Sequence, residues 1–385
     1  MTVAYFAHRI ELMPNDRQRT YLARAAGTAR FAYNWALRQW QEQYAAYKAD
    51  PSTPKPSEMS LRRELNAVKR TEFPWMLEVT KCAPQLAIKQ LGAAYQNFWA
   101  GRAKYPKPRK KGVHDRFSLS NDQFAVSAAA EAPAIRIPNL GWVRLREALR
   151  LPGKIMSATV SREADRWFVS VTVADAREVP LIDRENQTVV GVDLGLTHLA
   201  TLSTGEKVSG PKALKTLLAR LQRLSRQLAR KVKGSANRKK ARAKLARLHA
   251  RIGNIRKDAL HQLTTRLVRE HHTVALEDLN VKGMLRNRRL ARGIADAGFF
   301  ELRRQLTYKA DRMGAALVVV DRWFASSKLC SACGHKHEGL KLGDRQWTCV
   351  GCGAVLDRDE NAARNLAAEG MRILREGPRP QRTRR

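Results

Sequence analysis

Acidic residues are scarce in this chain of 385 residues: 35 Asp and Glu stand against 72 Lys and Arg, a net charge of +37. Self-repulsion on that scale is relieved by a polyanion, and nucleic acid is the expected partner because Lys and Arg gain affinity by displacing its condensed counterions. An anionic membrane surface is the weaker candidate, since the charge is spread along the whole chain and no lipidation motif is present. Long apolar runs are missing as well. None approaches the roughly eighteen residues that span a bilayer, and Met1–Arg9 lacks the apolar core of a signal peptide, so no membrane partner is expected. Cysteine is sparse, with five in all; four fall in two close pairs and Cys82 stands alone. That pattern excludes a disulfide scaffold and points to a reducing compartment, the cytoplasm. The length suggests two or three domains.

The cysteine pairs are Cys330-Ser-Ala-Cys333 and Cys349-Val-Gly-Cys352, with fifteen residues between them. Four thiolates in two C-x₂-C turns suit tetrahedral Zn²⁺, and the interval is that of a zinc ribbon. With Cys330, Cys333, Cys349 and Cys352 all engaged, the zinc would be structural. His335 and His337 are alternative ligands, unneeded where four sulfurs are at hand. Shortly after the last cysteine comes Asp357-Arg-Asp359-Glu-Asn361. Two upstream apolar runs also end in a carboxylate, Val189-Val-Gly-Val-Asp193 and Val274-Ala-Leu-Glu277. Open α/β sheets build their sites at the carboxyl ends of such strands, and a buried carboxylate is costly without positive compensation. The compensation is either an arginine or Mg²⁺ held beside a nucleic-acid backbone. Asp357 is assigned as an ordinary helix cap.

Residues 2–10 read as a strand, followed by a helix capped at Asn15 or Asp16 and running to about Tyr44 on a face of Leu22, Ala25, Ala29, Tyr33 and Ala36. Helices near 60–69 and 84–99 precede the basic segment Tyr105-Pro-Lys-Pro-Arg-Lys-Lys111. Short strands at 134–138, 142–146, 157–161 and 167–173 suggest a small β-barrel into which the helices are inserted. A second domain is expected from about 186, with a hairpin over 199–206. Its leucine spacings over 214–228 and 241–255 predict two antiparallel helices. Seventeen Lys or Arg and no acid lie between Lys212 and Lys257, which points to nucleic-acid contact. A strand at 273–279, a helix from Phe299 stopped by Gly314, a strand at 316–321 and a last helix over 359–374 complete the reading.

These residues form a recognisable set. Gly191-Val-Asp193-Leu-Gly195, Leu276-Glu277-Asp278-Leu279-Asn280, Tyr308-Lys-Ala310, Ser326-Ser-Lys328, the cysteine pairs and Asp357-Arg-Asp359-Glu-Asn-Ala-Ala-Arg-Asn365 together resemble the TnpB, or OrfB-type, insertion-sequence family. Arg30-Phe-Ala-Tyr-Asn34 and Tyr105-Pro-Lys-Pro-Arg109 are similar to weaker signatures of the same family, which is related to compact type V CRISPR effectors. The resemblance implies a multidomain α+β protein: a wedge-type β-barrel (1–12 and 112–182) with a helical recognition insertion (13–111), then an RNase H-like, RuvC-like α/β nuclease domain (186–325 and 356–375) with an inserted helical hairpin, a zinc ribbon (326–355) and a disordered basic tail (376–385). It implies that Asp193, Glu277 and Asp359 are catalytic acids holding Mg²⁺. The implied activity is RNA-guided cleavage of double-stranded DNA, with a guide RNA from a transposon end and a short motif read beside the target. Candidate phosphate contacts are Arg30, Asn34, Lys107, Arg109 and Lys110, with Arg230, Lys231, Lys239 and Lys240 on the helical hairpin. A compact CRISPR effector and an RNA-guided repressor that binds without cutting are the alternatives; oligomeric state is left open.

Overall fold

The computed structural model describes residues 4–127, 131–175, 188–341 and 343–377. The chain divides into two compact units, Met1–Arg177 and Glu178–Arg385. The tail expected at 376–385 lies outside the described residues apart from its first two, as does the segment 176–187 where the second domain was expected to begin. No helix among the described residues is long and apolar enough to cross a membrane.

The first unit opens with β1 (Ala4–Leu12) and α1 (Asp16–Ala49). Asn15 caps α1 by accepting from Gln18 N, and the Gln18 side chain answers from the third helical position, a reciprocal pair that satisfies two end amides. The helix then runs 34 residues, five beyond the expected stop, until Asp50 leaves helical geometry ahead of Pro51. Then come α2 (Glu58–Val68), α3 (Cys82–Trp99), β2 (Arg116–Ser120), β3 (Ala125–Val126), β4 (Ala134–Ile137), β5 (Gly141–Arg144), β6 (Lys154–Glu163) and β7 (Arg166–Asp175). The strands form two antiparallel sheets, β1-β7-β6-β2 and β3-β4-β5. The sheets touch where Leu12 bridges Leu145, with Met13 N donating to Arg144 O and Arg146 N to Glu11 O. The strands expected to form a small barrel thus fall into two sheets joined at this bridge. The core fills between them and the alanine-rich face of α1, around Ile10, Leu22, Ala29, Phe117, Val169 and Val171.

The second unit begins with β8 (Val189–Asp193), β9 (Ala200–Leu202) and β10 (Lys207–Val208). Next are α4 (Ala213–Ala229) and α5 (Ala236–Glu270), packed along Leu214, Leu217, Leu221, Leu224, Leu248, Ile252 and Ile255. β11 (Thr273–Glu277), α6 (Val281–Met284), α7 (Ala291–Ala297), α8 (Phe299–Met313) and β12 (Ala316–Val320) follow. β13 (Gln346–Thr348) and β14 (Val355–Asp357) make a small hairpin that runs straight into α9 (Arg358–Glu376). The sheet order is β10-β9-β8-β11-β12. β8, β11 and β12 are parallel, whereas β9 and β10 alternate in direction. Gly314, at φ 72°, ends α8 in the left-handed conformation that other residues resist.

Candidate active site and metal centre

β8 and β11 run side by side in parallel, Val189 opposite Thr273 through to Val192 opposite Leu276. Asp193 and Glu277 are the next residues of each strand, so two acids stand at adjacent carboxyl ends. Alternate residues of a strand share a face, which puts Asp193 on the face of Gly191 and Glu277 on that of Ala275. Both faces meet α9. A Cβ at Gly191 would lie 1.9 Å from Ala363 O and 2.6 Å from Ala367 N, and one at Gly370 would lie 2.6 Å from the Ala275 Cβ. Only glycine at these two positions lets the helix seat so closely. The contacts pass from Ala363 on Gly191 to Gly370 beside Val189 and Ala275, so α9 runs antiparallel to β8. Its first turn therefore reaches the carboxyl end of the sheet, and Asp359, one turn ahead of Ala363, arrives beside Asp193.

The electrostatics record this convergence. The Asp193 carboxyl is pushed up to about 7, first by burial, then by the negative charges of Asp359 and Glu277, against a weaker opposing pull from Arg358 and Arg345. Glu277 is also raised, by burial first and then by Asp278. Nearby acids are all compensated. Asp278 binds Arg303 at 2.5 Å and also Arg322; Asp296 accepts from the first amides of α4, Leu214 N and Lys215 N; Asp357 pairs with Lys207 at 2.6 Å. Asp357 also caps α9 by accepting from Asp359 N and Glu360 N. Asp359 has only Arg345 at 3.4 Å, an exposed guanidinium whose pairing contributes little. Among the described residues, Asp193 and Glu277 have no cation within salt-bridge distance. Like charges crowded at a half-buried edge are the donor set that a divalent cation fits.

The thiols are arranged differently. Cys330 Sγ lies 3.7 Å from Cys352 Sγ and Cys333 Sγ lies 3.6 Å from Cys349 Sγ. All four sulfurs fall within 4.8 Å of one another, the only such group of metal-ligating atoms among the described residues. A tetrahedron of Zn–S bonds has sulfur edges of about 3.8 Å, so the four positions fit zinc as they stand. The three carboxylates are more widely spaced than this. Trp347, Leu340 and Leu356 pack around Cys330 and Cys349. His337 lies edge-on to Trp347 at 5.3 Å.

The structure divides the cationic candidates. Arg230, Lys231, Lys239 and Lys240 are exposed at the tip of the α4–α5 hairpin, and Lys107 and Lys110 are exposed in the first unit. Arg30, Asn34 and Arg109, also read as phosphate contacts, are half-buried and engaged within the first unit. Arg30 pairs with Asp115 at 2.9 Å, both largely buried. Asn34 donates to Arg109 O at 3.0 Å and accepts from Arg109 N at 2.7 Å. The Arg109 guanidinium stacks 3.8 Å from the Tyr33 ring and donates to Gln90 Oε1 at 2.7 Å. Asn34 and Arg109 pin the 105–111 segment to α1 and α3, and Arg30 ties α1 to Asp115 just beyond it. Sequence reasoning also missed Arg303 and Arg322 on Asp278, and Arg345 beside Asp359; no local pattern marks which of so many arginines meets an acid.

Comparison with known proteins agrees with this geometry. The family described as "Probable transposase" of the OrfB_IS605 type matches residues 169–288, a "Cas12f1-like, TNB domain" matches 299–366 and a "Helix-turn-helix domain" of the same OrfB group matches 1–49. The last segment is a strand and one uninterrupted helix in this structure. A solved "Cas12f1-sgRNA-target DNA complex" superposes with a TM-score of 0.60 at 14% identity, covering 92% of this chain and 83% of that one. The fold is therefore that of the compact Cas12f effectors. A protein of Streptomyces pristinaespiralis named "Putative RNA-guided DNA endonuclease" is 42% identical over 98% of this chain and 92% of its own length. InsQ of Escherichia coli, of the same description, is 33% identical over 96% and 93%. The chain belongs to this TnpB family.

Proposed function

We propose that this protein is an RNA-guided DNA endonuclease of the TnpB type, which cuts double-stranded DNA next to a short motif under direction of a transposon-end RNA. The observation that carries the reading is the set Asp193, Glu277 and Asp359 at one edge of the sheet β10-β9-β8-β11-β12, with only the exposed Arg345 beside Asp359 and no salt bridge to the other two among the described residues; the sheet is read as RNase H-like, RuvC-like. The three carboxylates would hold Mg²⁺, which suits a few carboxylates completed by water and phosphate oxygens. Mg²⁺ held by Asp193, Glu277 and Asp359 would supply activation of a water and charge stabilisation of the leaving oxygen for phosphodiester hydrolysis. The chain's own part is placement. β8 and β11 fix two acids side by side, and the glycine seam with α9 brings the third against them. Arg303 and Arg322 pair with Asp278, and Glu277 has no salt bridge among the described residues.

Sequence recognition falls to base pairing between guide and target, so the protein needs chiefly to grip backbones. Arg230, Lys231, Lys239 and Lys240 would supply such a grip at the tip of a hairpin that has no acid from Lys212 to Lys257; Lys107 and Lys110 would supply another. The first unit takes the wedge and recognition roles, and zinc at the four cysteines is structural. A repressor that binds without cutting has no need of the acid set. The experiment is guided cleavage with Asp193→Ala: the variant should bind RNA as the parent does and fail to cut, and undiminished cutting removes the assignment.

A further inference from the structure

α9 carries two buried amides besides Asp359. Asn361 and Asn365 lie one helical turn apart and are 1% and 8% exposed. Asn361 Nδ2 donates to Leu329 O at 2.7 Å and its Oδ1 accepts from Ser331 N at 2.8 Å. One side chain thus grips the carbonyl just before Cys330 and the amide just after it. Asn365 Nδ2 donates to Ser326 O and Leu329 O, both at 2.7 Å. The task needs a donor and an acceptor on one short stem: aspartate has no donor, leucine has neither, and glutamine is longer by a methylene.

The helix is therefore held from both sides. Asp359 and Asn361 are two positions apart, about 200° around an α-helix, so the acid faces the strand ends while the amide faces the cysteine knuckle. Two further ties join the ribbon to the same turn. Arg358 N donates to Arg345 O at 2.9 Å, and the Arg358 guanidinium donates to Lys341 O at 3.0 Å. A knuckle that loses its shape would carry the Leu329 carbonyl and the Ser331 amide with it, leaving the first turn of α9 held mainly by its cap.

We propose that Asn361 and Asn365 are positioning residues that tie Asp359 to the four-cysteine knuckle, so that zinc in the knuckle fixes the place of the acid at the sheet edge. The inference rests on the reading of Asp359 as a metal-holding acid, and its test separates the two. Full-length protein with its guide RNA is prepared as wild type, Asn361→Ala and Asn365→Ala, and as wild type stripped by a zinc-selective chelator. Zinc content, amide hydrogen exchange over 359–363 and the Mg²⁺ concentration for half-maximal guided cleavage are measured on each. Asn361→Ala should keep its zinc, exchange about tenfold faster in that turn and need about ten- to a hundredfold more Mg²⁺, the usual cost of removing an outer-shell partner. Asn365→Ala should show a smaller change, since Asn361 still grips Leu329 O. Chelation of the wild type should open the same amides, which decides the matter even where a variant loses its zinc or misfolds.

Unchanged exchange after chelation overturns the proposal. So does a rise in exchange with no change in Mg²⁺ requirement, which would sever the knuckle from metal binding by Asp359. Absence of guided cleavage in the wild type would count against the nuclease reading instead, and exchange alone would then decide the link.

Discussion

The thiol cluster and the carboxylate cluster of the second unit differ in how complete they are. The four sulfurs already describe the tetrahedron that a single ion needs, with Trp347 and Leu356 packed beside Cys330 and Cys349 while Cys333 and Cys352 face solvent. The three carboxylates stand further apart and half-buried, and the charges of Asp359 and Glu277 add to burial in raising Asp193. A site finished by protein ligands alone holds structure; a site that leaves positions for water and phosphate can do chemistry. The contrast teaches that one helix can serve both clusters, because α9 presents Asp359 to the sheet and Asn361 to the knuckle.

The largest effect expected is at the open site. Asp193→Ala should lower guided cleavage by at least about a thousandfold, since a lost metal ligand removes several kcal/mol of transition-state stabilisation, with guide-RNA binding unchanged in a filter or mobility assay. Glu277→Ala and Asp359→Ala should match it; an active Glu277→Ala would break the set. Cys330→Ser tests the finished site. It should abolish zinc retention, lower the melting temperature of the second unit and reduce cleavage by about ten- to a hundredfold through Asp359; a zinc-free variant of full stability and activity would erase the distinction between the two clusters.

Smaller effects sharpen the comparison. Replacing Arg230, Lys231, Lys239 and Lys240 together by alanine should make the plot of log affinity against log salt shallower by about 3, at roughly 0.7–0.9 for each phosphate no longer neutralised, with no change in melting. Arg109→Ala should do the reverse. Its loss of the Tyr33 stack and the Gln90 bond should cost about 1–3 kcal/mol of stability in denaturant titration and leave the salt slope unmoved. The smallest change belongs to Asp357→Ala, which removes a helix cap at about 1 kcal/mol and should leave cleavage within a few-fold of the parent. An active Asp359→Ala beside a dead Asp357→Ala would exchange the roles of the two acids.

Much of this was legible in the chain. Apolar runs that stop at a carboxylate mark β8 and β11 because the pattern is local, and two C-x₂-C turns mark the knuckle because short turns fix both sulfurs. The leucine seams of α4 and α5 and the alanine face of α1 follow from helical periodicity alone. What escaped depends on register between distant segments. Nothing near Gly191 says that it meets Ala363, and nothing near Asn361 says that it holds Leu329 and Ser331. Arg30 and Arg109 look like free cations in a basic sequence until Asp115, Tyr33 and Gln90 are brought to them. In the first unit the strands were visible, but their division into two sheets joined at Leu12 and Leu145 rests on a single bridge with no sequence mark.

The most direct test is Mn²⁺ soaked into crystals of the full-length protein as a stand-in for Mg²⁺, located by anomalous scattering, with the zinc of the cysteine knuckle as internal reference. Mn²⁺ should be bounded by Asp193, Glu277 and Asp359, and should be lost in Asp193→Ala. Carboxylates each closed off by an arginine, with no ion among them at saturating Mn²⁺, would contradict the assignment.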